Sequence, residues 1–523
     1  MRTAEERVHL GYVIAIGWTA VALVFSNFLM SMGAFAMLAA WAHDRMVLGP
    51  IFRKRPAAFV QGSTVLLAVS ALMAWQVLGM LWTEDLADGW TALRIKLPFL
   101  AFPLVLLTGR WDRERVMGWL PGWWGLAIVA AFGAILLRSA WSDVPMRGRD
   151  ASPFISHIRF SLMMVWAWGL LTFRGLRGER GRWESPVLWG LVTLSTVGFI
   201  AISGTLTGLV LLPIVVAALV SWGALDRWGV RRARARRIVL VAGLVAGGVG
   251  LGLVWQLRPI LPNPTTLESE TAGGEPYVHH PDRCLRENGH HVWVHLAPDE
   301  LQRTWNQRSE IPFYGKDARN QQVRTTLIRY LTSLGLRKDS LGVMALSDED
   351  IARIEAGIPT ILELEHSGLR RRWDILQFEL YAVRSGMAPS GLSLTQRWVF
   401  WQAGWRIFQR SPAWGVGTGD LNRAFEAAYN DMDSGLAPAF RLRAHNQFLS
   451  FALAGGPVGA MLFLGVFIAL VAVANRMESG IWTVSALLFA LIFFLSCWTE
   501  DTLETQAGVT WAGLFIGLLG RRP

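Results

Sequence analysis

His445 and Asn446 are the residues whose type and position best suit them to chemistry. They lie in RLRAHNQFLSFALAGG, where a long polar segment ends and an apolar helix begins. An imidazole has an unperturbed pKa of about 6.5, so it can accept a proton from a hydroxyl group at neutral pH. His445 is therefore a candidate general base at a membrane surface, or else a histidine that hydrogen-bonds to backbone at a helix start. Asn446 either orients the imidazole or caps the helix.

Four basic residues near the predicted outer surface are candidates for binding a polyanion. They are Arg94, Lys96, Arg159 and Arg397. The positive-inside rule disfavours basic residues on that side, so each needs a reason for its position. Each could snorkel to lipid headgroups or pair with an acid. If they share one cavity with His445, they are suited to a diphosphate, because the planar guanidinium donates two parallel hydrogen bonds to phosphate oxygens.

Other polar clusters have simpler interpretations. Glu500, Asp501 and Glu504 form either an acid pair for hydrolysis or, as we favour, partners for the outer arginines. WGVGTGD lacks the Lys-Ser/Thr ending of a nucleotide loop, so it is predicted to be a tight turn, with Asp420 as the N-cap of the next helix. A further group of histidines with one cysteine matches no zinc spacing and predicts neither a metal site nor a cofactor. It contains His279, His280, Cys284, His290, His291 and His295.

The composition indicates an integral membrane protein. Hydrophobic residues make up 52% of the chain, charged residues only 17%, and there are 27 tryptophans. The net charge of +11 arises from short arginine clusters between apolar runs, which are typical topology signals. No aromatic and basic reader motif accompanies them, so nucleic acid is excluded as a partner.

We predict an all-α integral membrane protein with about twelve transmembrane helices, taking about 20 apolar residues as one crossing. The fourth crossing is short and contains two prolines, so we expect it to be kinked or re-entrant. The crossings are placed at 8–26, 27–42, 59–82, 97–109, 116–137, 157–173, 186–202, 205–223, 238–257, 446–474, 480–498 and 506–520.

Basic clusters at 53–55, 110–115, 174–182 and 227–237 fall on alternate connections, which predicts that both termini are cytoplasmic. Three regions follow: residues 1–257 with nine membrane helices, an outer segment at 258–445, and residues 446–523 with three more helices. The outer segment is predicted to be a folded, mostly helical cap, because it shows helical periodicity and a capping box at Ser347 and Asp350. In a cell with two membranes, this cap is periplasmic and the protein lies in the inner membrane.

PAWGVGTGDLNRAF followed by RAHNQFLSFALAGGPVGAMLF resembles the O-antigen ligase and O-antigen polymerase superfamily of bacterial membrane glycosyltransferases. LWTEDLADGWTALRIKLPF, SPFISHIRFSLMM and WTEDTLETQAGVTW resemble a ligase-like branch with a large outer insert. The resemblance implies a GT-C type scaffold that transfers a preassembled glycan from undecaprenyl diphosphate to a hydroxyl, in ligases that of lipid A-core, without a metal. It implies His445 as the base and Arg159 and Arg397 as diphosphate ligands, assisted by Arg94 and Lys96, with inversion at the sugar.

One residue departs from the family pattern. The family often has an arginine beside Ser/Thr-Gly at the outer start of a middle helix, whereas this chain has Leu206 in AISGTLTGLVLL. Arg159 could substitute for it, or the donor could differ. The alternatives to a ligase are a polymerase of the same superfamily, a transporter of lipid-linked saccharides without covalent chemistry, and a relative that glycosylates proteins.

Overall fold

The computed structural model describes most of the chain. The ranges are 3–52, 63–141, 152–181, 183–227, 267–280, 286–319, 321–361, 379, 393–436, 438–477 and 480–521. Helices dominate these ranges, and the prediction of an all-α membrane protein is confirmed. The predicted crossing at 238–257 lies outside the described residues.

Nine helices are described before the polar insert. They are α1 (Ala4–Phe25), α2 (Asn27–Phe52), α3 (Ser63–Leu78), α4 (Leu86–Thr108), α5 (Arg113–Met117), α6 (Leu120–Trp141), α7 (His157–Arg177), α8 (Pro186–Ser203) and α9 (Leu206–Arg227). Arginines end α7, and Gly178, which is left-handed with φ +71°, caps it, as a helix C-terminus favours.

The polar insert forms short elements. They are β1 (Arg286–Glu287), β2 (His290–His291), α10 (Pro298–Arg308), α11 (Val323–Ser333), α12 (Ser340–Met344) and α13 (Asp348–Glu355). After it come α14 (Ser393–Arg410), α15 (Leu421–Asp431), α16 (Gln447–Arg476), α17 (Ile481–Thr499) and α18 (Gln506–Leu519). Within the described ranges, eight helices are long and apolar enough to cross a membrane, and α18 is a shorter apolar helix.

The chain divides into two compact units. The first comprises Met1–Gly252, Val399–Ser434 and Arg441–Pro523, and the second comprises Leu253–Trp398 and Gly435–Phe440. The second unit has its own apolar core around Trp305, Tyr330 and Leu331, which α10, α11 and α13 bury. The predicted capping box is present: Asp350 N–H donates to Ser347 Oγ at 3.2 Å, and Ser347 N–H donates to Asp350 Oδ2 at 3.0 Å.

The prediction for the fourth crossing was wrong at its start. Helix α4 begins at Leu86, is capped by Asp85, and continues through Pro98 and Pro103 to Thr108. The hydropathy pattern excluded the first turns because they contain charged residues. In the structure, the charged Lys96 lies buried inside the helix bundle.

Helix α18 packs closely against α4 and fixes the position of the connection that precedes it. A Cβ atom at Gly513 would lie 2.6 Å from the carbonyl oxygen of Pro98, so only glycine allows this approach. The 3-10 turn Thr502–Glu504 leads into α18. Glu504, the last residue of this turn, therefore lies beside α4, where its carboxylate contacts Lys96.

Helix α16 is broken near its start. Gly456 has φ +66° and ψ −170°, and its neighbour Gly455 is also non-helical, ahead of Pro457. The carbonyl groups freed by the break accept hydrogen bonds from elsewhere: Leu453 O from Val416 N–H at 2.8 Å, and Ala454 O from Gly417 N–H at 3.0 Å. The glycine-rich segment is thus the predicted tight turn, and it replaces the missing bonds of a broken membrane helix.

Candidate functional site

The backbone of His445 is held in a conformation that few side chains adopt. Its φ is +47°, in the left-handed region, and its N–H donates to Asp501 Oδ2 at 3.0 Å. The preceding carbonyl, Ala444 O, accepts from Trp401 Nε1 at 3.1 Å. A non-glycine residue persists at positive φ only when its surroundings fix it, and such strain clusters at functional sites.

The imidazole of His445 faces an acid and an aromatic ring. Its Nδ1 lies 3.7 Å from Glu500 Oε2, and its ring centroid lies 5.7 Å from that of Phe400. Nδ1 is buried and has no hydrogen-bond partner among the described residues, whereas the side chain as a whole is 32% exposed. The ring is therefore bordered by a carboxylate at Nδ1 and partly open to a substrate.

Asn446 caps α16. Its side chain accepts a hydrogen bond from Leu449 N–H at 3.0 Å, and its backbone is extended, as at an N-cap. Of the two roles left open by the sequence, the structure therefore shows capping. The cap fixes the first turn of α16 directly after His445.

Asp501 connects three parts of the site. Besides the His445 N–H, its carboxylate accepts from Ser450 Oγ at 2.7 Å, and its carbonyl oxygen lies 3.4 Å from Arg159 Nη2. Burial raises the pKa of the Asp501 carboxyl, and the nearby Glu504 carboxylate raises it further. Through Asp501, the first turn of α7 and the start of α16 meet at one residue.

Arg159 is incompletely paired. The contact of its Nη2 with Asp501 O, at 3.4 Å, is long for a hydrogen bond. Its Nε is buried with no hydrogen-bond partner in the described part of the chain. Buried donors normally have an acceptor, so this guanidinium can bind a further anionic group.

Glu504 has several partners. Its carboxylate lies 2.7 Å from Lys96 Nζ and 3.1 Å from Arg443 Nη1, and Gln447 Nε2 lies 3.4 Å away. Burial acts to raise the pKa of Glu504, but the charges of Lys96 and Arg443 outweigh it, so the pKa is lowered. Glu504 is thus a partner of basic residues, as favoured from the sequence, and Lys96 is neutralised within the protein.

Arg94 and Arg397 lie in different surroundings. Arg94 is exposed and is two residues from Lys96, so it lies on roughly the opposite side of α4, on the same exposed stripe as Trp90 and Leu97. Arg397 lies in α14, three and four residues before Phe400 and Trp401. It therefore shares a helix face with the two residues that contact His445 and Ala444.

The structure thus gathers His445, Glu500, Asp501 and Arg159 in one cluster, with Lys96 joined to it through Glu504. Sequence reasoning missed Arg443, Ser450 and Phe400. Arg443 carried a usable signal, since it lies two residues before His445. Ser450 and Phe400 did not, because their roles depend on contacts between distant segments.

The predicted N-cap position of Asp420 is confirmed, but its side chain has a different role. Asp420 stands at the N-cap position of α15 but makes no side-chain capping bond. Its carboxylate instead accepts from the backbone N–H groups of Glu84 and Asp85, both at 2.8 Å. Asp420 therefore fastens the glycine-rich turn to the start of α4, a long-range role that local sequence could not show.

The histidines of the insert pack against each other. His279 Nδ1 accepts from His295 N–H at 3.0 Å, and the two rings are 5.0 Å apart. Among the described residues, no group of three His, Cys, Asp or Glu side chains is arranged to hold a metal ion. Cys284 lies outside the described ranges.

Leu206, the departure from the family pattern, begins α9. The hydroxyl of the preceding residue, Thr205, donates to Ser161 Oγ at 3.3 Å. Ser161 is two residues after Arg159 in α7, so the start of α9 and Arg159 lie at the same level of the bundle.

Comparison with known families adds one finding. Residues 356–464 match the family described as O-antigen ligase, which confirms the resemblance seen in the sequence. The matched residues include α14, α15 and the first half of α16, the elements that hold His445. No curated protein matches the chain.

Proposed function

We propose that this multi-pass membrane protein of the O-antigen ligase superfamily transfers a preassembled glycan from undecaprenyl diphosphate to a hydroxyl of an acceptor such as lipid A-core. The reaction takes place at the outer face of the bacterial inner membrane, with both termini cytoplasmic. Nucleotide sugars are absent there, so the donor must arrive already activated on a lipid.

The observation that supports this proposal best is the incompletely paired Arg159. Its buried Nε has no acceptor in the described part of the chain, and Asp501 links it to the backbone of His445. A diphosphate oxygen would supply the missing acceptor. A cation fixed in advance also stabilises the negative charge that develops on the leaving diphosphate.

His445 acts as the general base. With Glu500 at Nδ1, the favoured neutral tautomer carries its proton on Nδ1 and leaves Nε2 free to accept one. The acceptor hydroxyl attacks the anomeric carbon, its proton passes to Nε2, and the bond to the diphosphate oxygen breaks. Glu500 then stabilises the imidazolium, and Arg159 and Arg397 neutralise the departing diphosphate. One displacement of this kind inverts the anomeric centre.

Lys96 and Arg94 have lesser parts in this scheme. Glu504 already neutralises Lys96, and Arg94 lies on the other side of α4 beside exposed Trp90. Arg94 is placed to contact lipid headgroups, as tryptophan and arginine do at membrane surfaces. We therefore assign the diphosphate to Arg159 and Arg397 first.

The test compares purified variants on undecaprenyl-diphosphate glycan and a lipid A-core acceptor. His445→Asn is preferred to alanine because asparagine tolerates positive φ, so the strained backbone is kept. We expect it to lower the transfer rate by about 10²- to 10⁴-fold. Arg159→Gln and Arg397→Gln should also lower it strongly, whereas Arg410→Gln, exposed on the same helix as Arg397, should not.

The products distinguish the alternatives. A ligase attaches finished chains to the acceptor lipid, whereas a polymerase lengthens them on the carrier. If His445→Asn retains the wild-type rate while its melting temperature is unchanged, the general-base assignment is wrong. If no new glycosidic bond forms but labelled glycan crosses the membrane, the protein is a transporter.

A further inference from the structure

The end of the helix bundle opposite His445 carries a cluster of arginines. Helices α4 and α18 both end there, and α17 begins there. We define the basal arginine cluster as Arg45, Arg110, Arg113 and Arg521. It includes none of the residues assigned to glycan transfer.

Few carboxylates balance this cluster. Asp44 lies 3.5 Å from Arg110, and Glu114 accepts a hydrogen bond from the indole of Trp482 at 2.6 Å. Four guanidinium groups therefore share two nearby carboxylates, which leaves an excess of two positive charges among the described residues. The exposed neighbours Asp112 and Arg115 cancel each other.

Arg45, Arg113 and Arg521 also contact neutral backbone carbonyl groups. Arg45 Nη2 donates to Thr108 O at 2.8 Å, Arg521 Nη1 donates to Gly109 O at 3.1 Å, and Arg113 Nη1 donates to Arg521 O. These carbonyl groups belong to helix C-termini, where arginines are favoured. Capping accounts for one nitrogen each of Arg45, Arg113 and Arg521.

Three donors of Arg113 and Arg45 have no acceptor among the described residues. Arg113 is only 8% exposed, yet its Nε and Nη2 have no hydrogen-bond partner in the described part of the chain. The same is true of Arg45 Nε. Buried donors without partners are rare, and together with the excess charge they indicate a missing anionic acceptor.

Two tryptophans place the cluster at the depth of lipid headgroups. The Arg113 guanidinium lies 3.6 Å from the ring centre of Trp482, and that of Arg45 lies 5.3 Å from Trp41. Tryptophan concentrates at membrane surfaces. Trp482 lies at the start of the candidate membrane helix α17, and the Trp41 indole donates to the hydroxyl of Thr108, the last residue of the candidate membrane helix α4.

We propose that the basal arginine cluster binds the phosphate of an anionic phospholipid. The guanidinium forks match phosphate oxygens, the excess charge favours an anion, and the ends of membrane helices are where a lipid headgroup lies.

The test uses the full-length protein in detergent, with bound lipid measured by native mass spectrometry. It is titrated with phosphatidylglycerol, with zwitterionic phosphatidylcholine, and with inorganic phosphate. Arg45→Gln/Arg521→Gln removes two partly exposed members, and Arg45→Lys/Arg521→Lys keeps the charge. Arg138→Gln, an exposed arginine at the far end of α6, is the control.

The wild type should bind phosphatidylglycerol in preference to phosphatidylcholine. Each arginine removed should weaken that binding about fivefold, so the glutamine pair loses about 25-fold, while the lysine pair keeps most of it and Arg138→Gln is unchanged. The proposal is overturned if the wild type binds the two lipids equally, or if the glutamine pair prefers phosphatidylglycerol as strongly as the wild type does. Displacement of phosphatidylglycerol by millimolar inorganic phosphate overturns the lipid assignment in favour of a free-phosphate site.

Discussion

Removing Glu504 should destabilise the protein far more than removing Lys96, although the two form one ion pair. The side chain of Lys96 is 4% exposed, and Glu504 is its only ion-pair partner among the described residues. Glu504→Gln therefore leaves a buried ammonium without a counter-charge, which should cost about 3–5 kcal/mol.

Lys96→Met leaves a different situation. Glu504 keeps Arg443 at 3.1 Å, and the methionine fills the volume of the lysine stem. The cost should be only about 1–2 kcal/mol. In the double variant Lys96→Met/Glu504→Gln, the only charge that loses its partner is that of Arg443, which is partly exposed. The double variant should therefore recover most of the stability that Glu504→Gln loses.

The assay is thermal unfolding in detergent, followed by the fluorescence of the 27 tryptophans. Asp431→Asn is the matched control, because its ion pair with Arg410 is about half exposed and should contribute at most about 1 kcal/mol. Equal losses for the two single variants, or a double variant as unstable as the sum of both, would show that the proposed imbalance of charge is not what stabilises this pair.

Three further outcomes are expected. Gly456→Ala should destabilise the protein by at least about 2 kcal/mol in thermal unfolding, because Gly456 has positive φ and a Cβ there would lie 2.1 Å from the carbonyl oxygen of Ala413. Gly133→Ala is the control: a Cβ there meets open space, so the variant should be more stable than the wild type by up to about 1 kcal/mol. Burial lowers the pKa of Lys338 to about 8, so the folded state binds this proton less tightly than the unfolded state, and its contribution to stability, present above the unfolded pKa, is lost as pH falls through about 8. The free energy of unfolding of the wild type, measured with a chemical denaturant, should therefore rise by about 1 kcal/mol from pH 7 to 9, and that of Lys338→Met should not. Ser347→Ala should cost about 1 kcal/mol through loss of the capping box, seen as faster hydrogen exchange over residues 348–355.

The sequence predicted features that depend on local pattern. Apolar runs located the membrane helices within a few residues, as at α16 and α17, and Ser347 with Asp350 marked a helix start. Hydropathy failed where a helix contains a charged residue whose partner is far away in the chain. Lys96 and Glu504 are separated by some four hundred positions, so the sequence predicts a connection where α4 in fact begins.

The site was predictable only in part for the same reason. His445 could be singled out by its type and its position before an apolar helix. Its left-handed backbone and its contacts with Glu500, Asp501 and Phe400 could not, because they arise when α14, α16 and the connection after α17 meet. Asp420 shows the limit clearly, since its local context fits a cap while its carboxylate binds the start of α4.

The broken start of α16 bears on how the protein is made. In the part of the chain that the structure describes, three groups bond to its freed carbonyls, and all three precede the break along the chain. They are the N–H groups of Val416 and Gly417 and the indole N–H of Trp75. A ribosome therefore releases these donors before the segment that needs them enters the bilayer. A circular permutant that began at α16 would reverse this order and expose bare carbonyl groups to hydrocarbon during insertion.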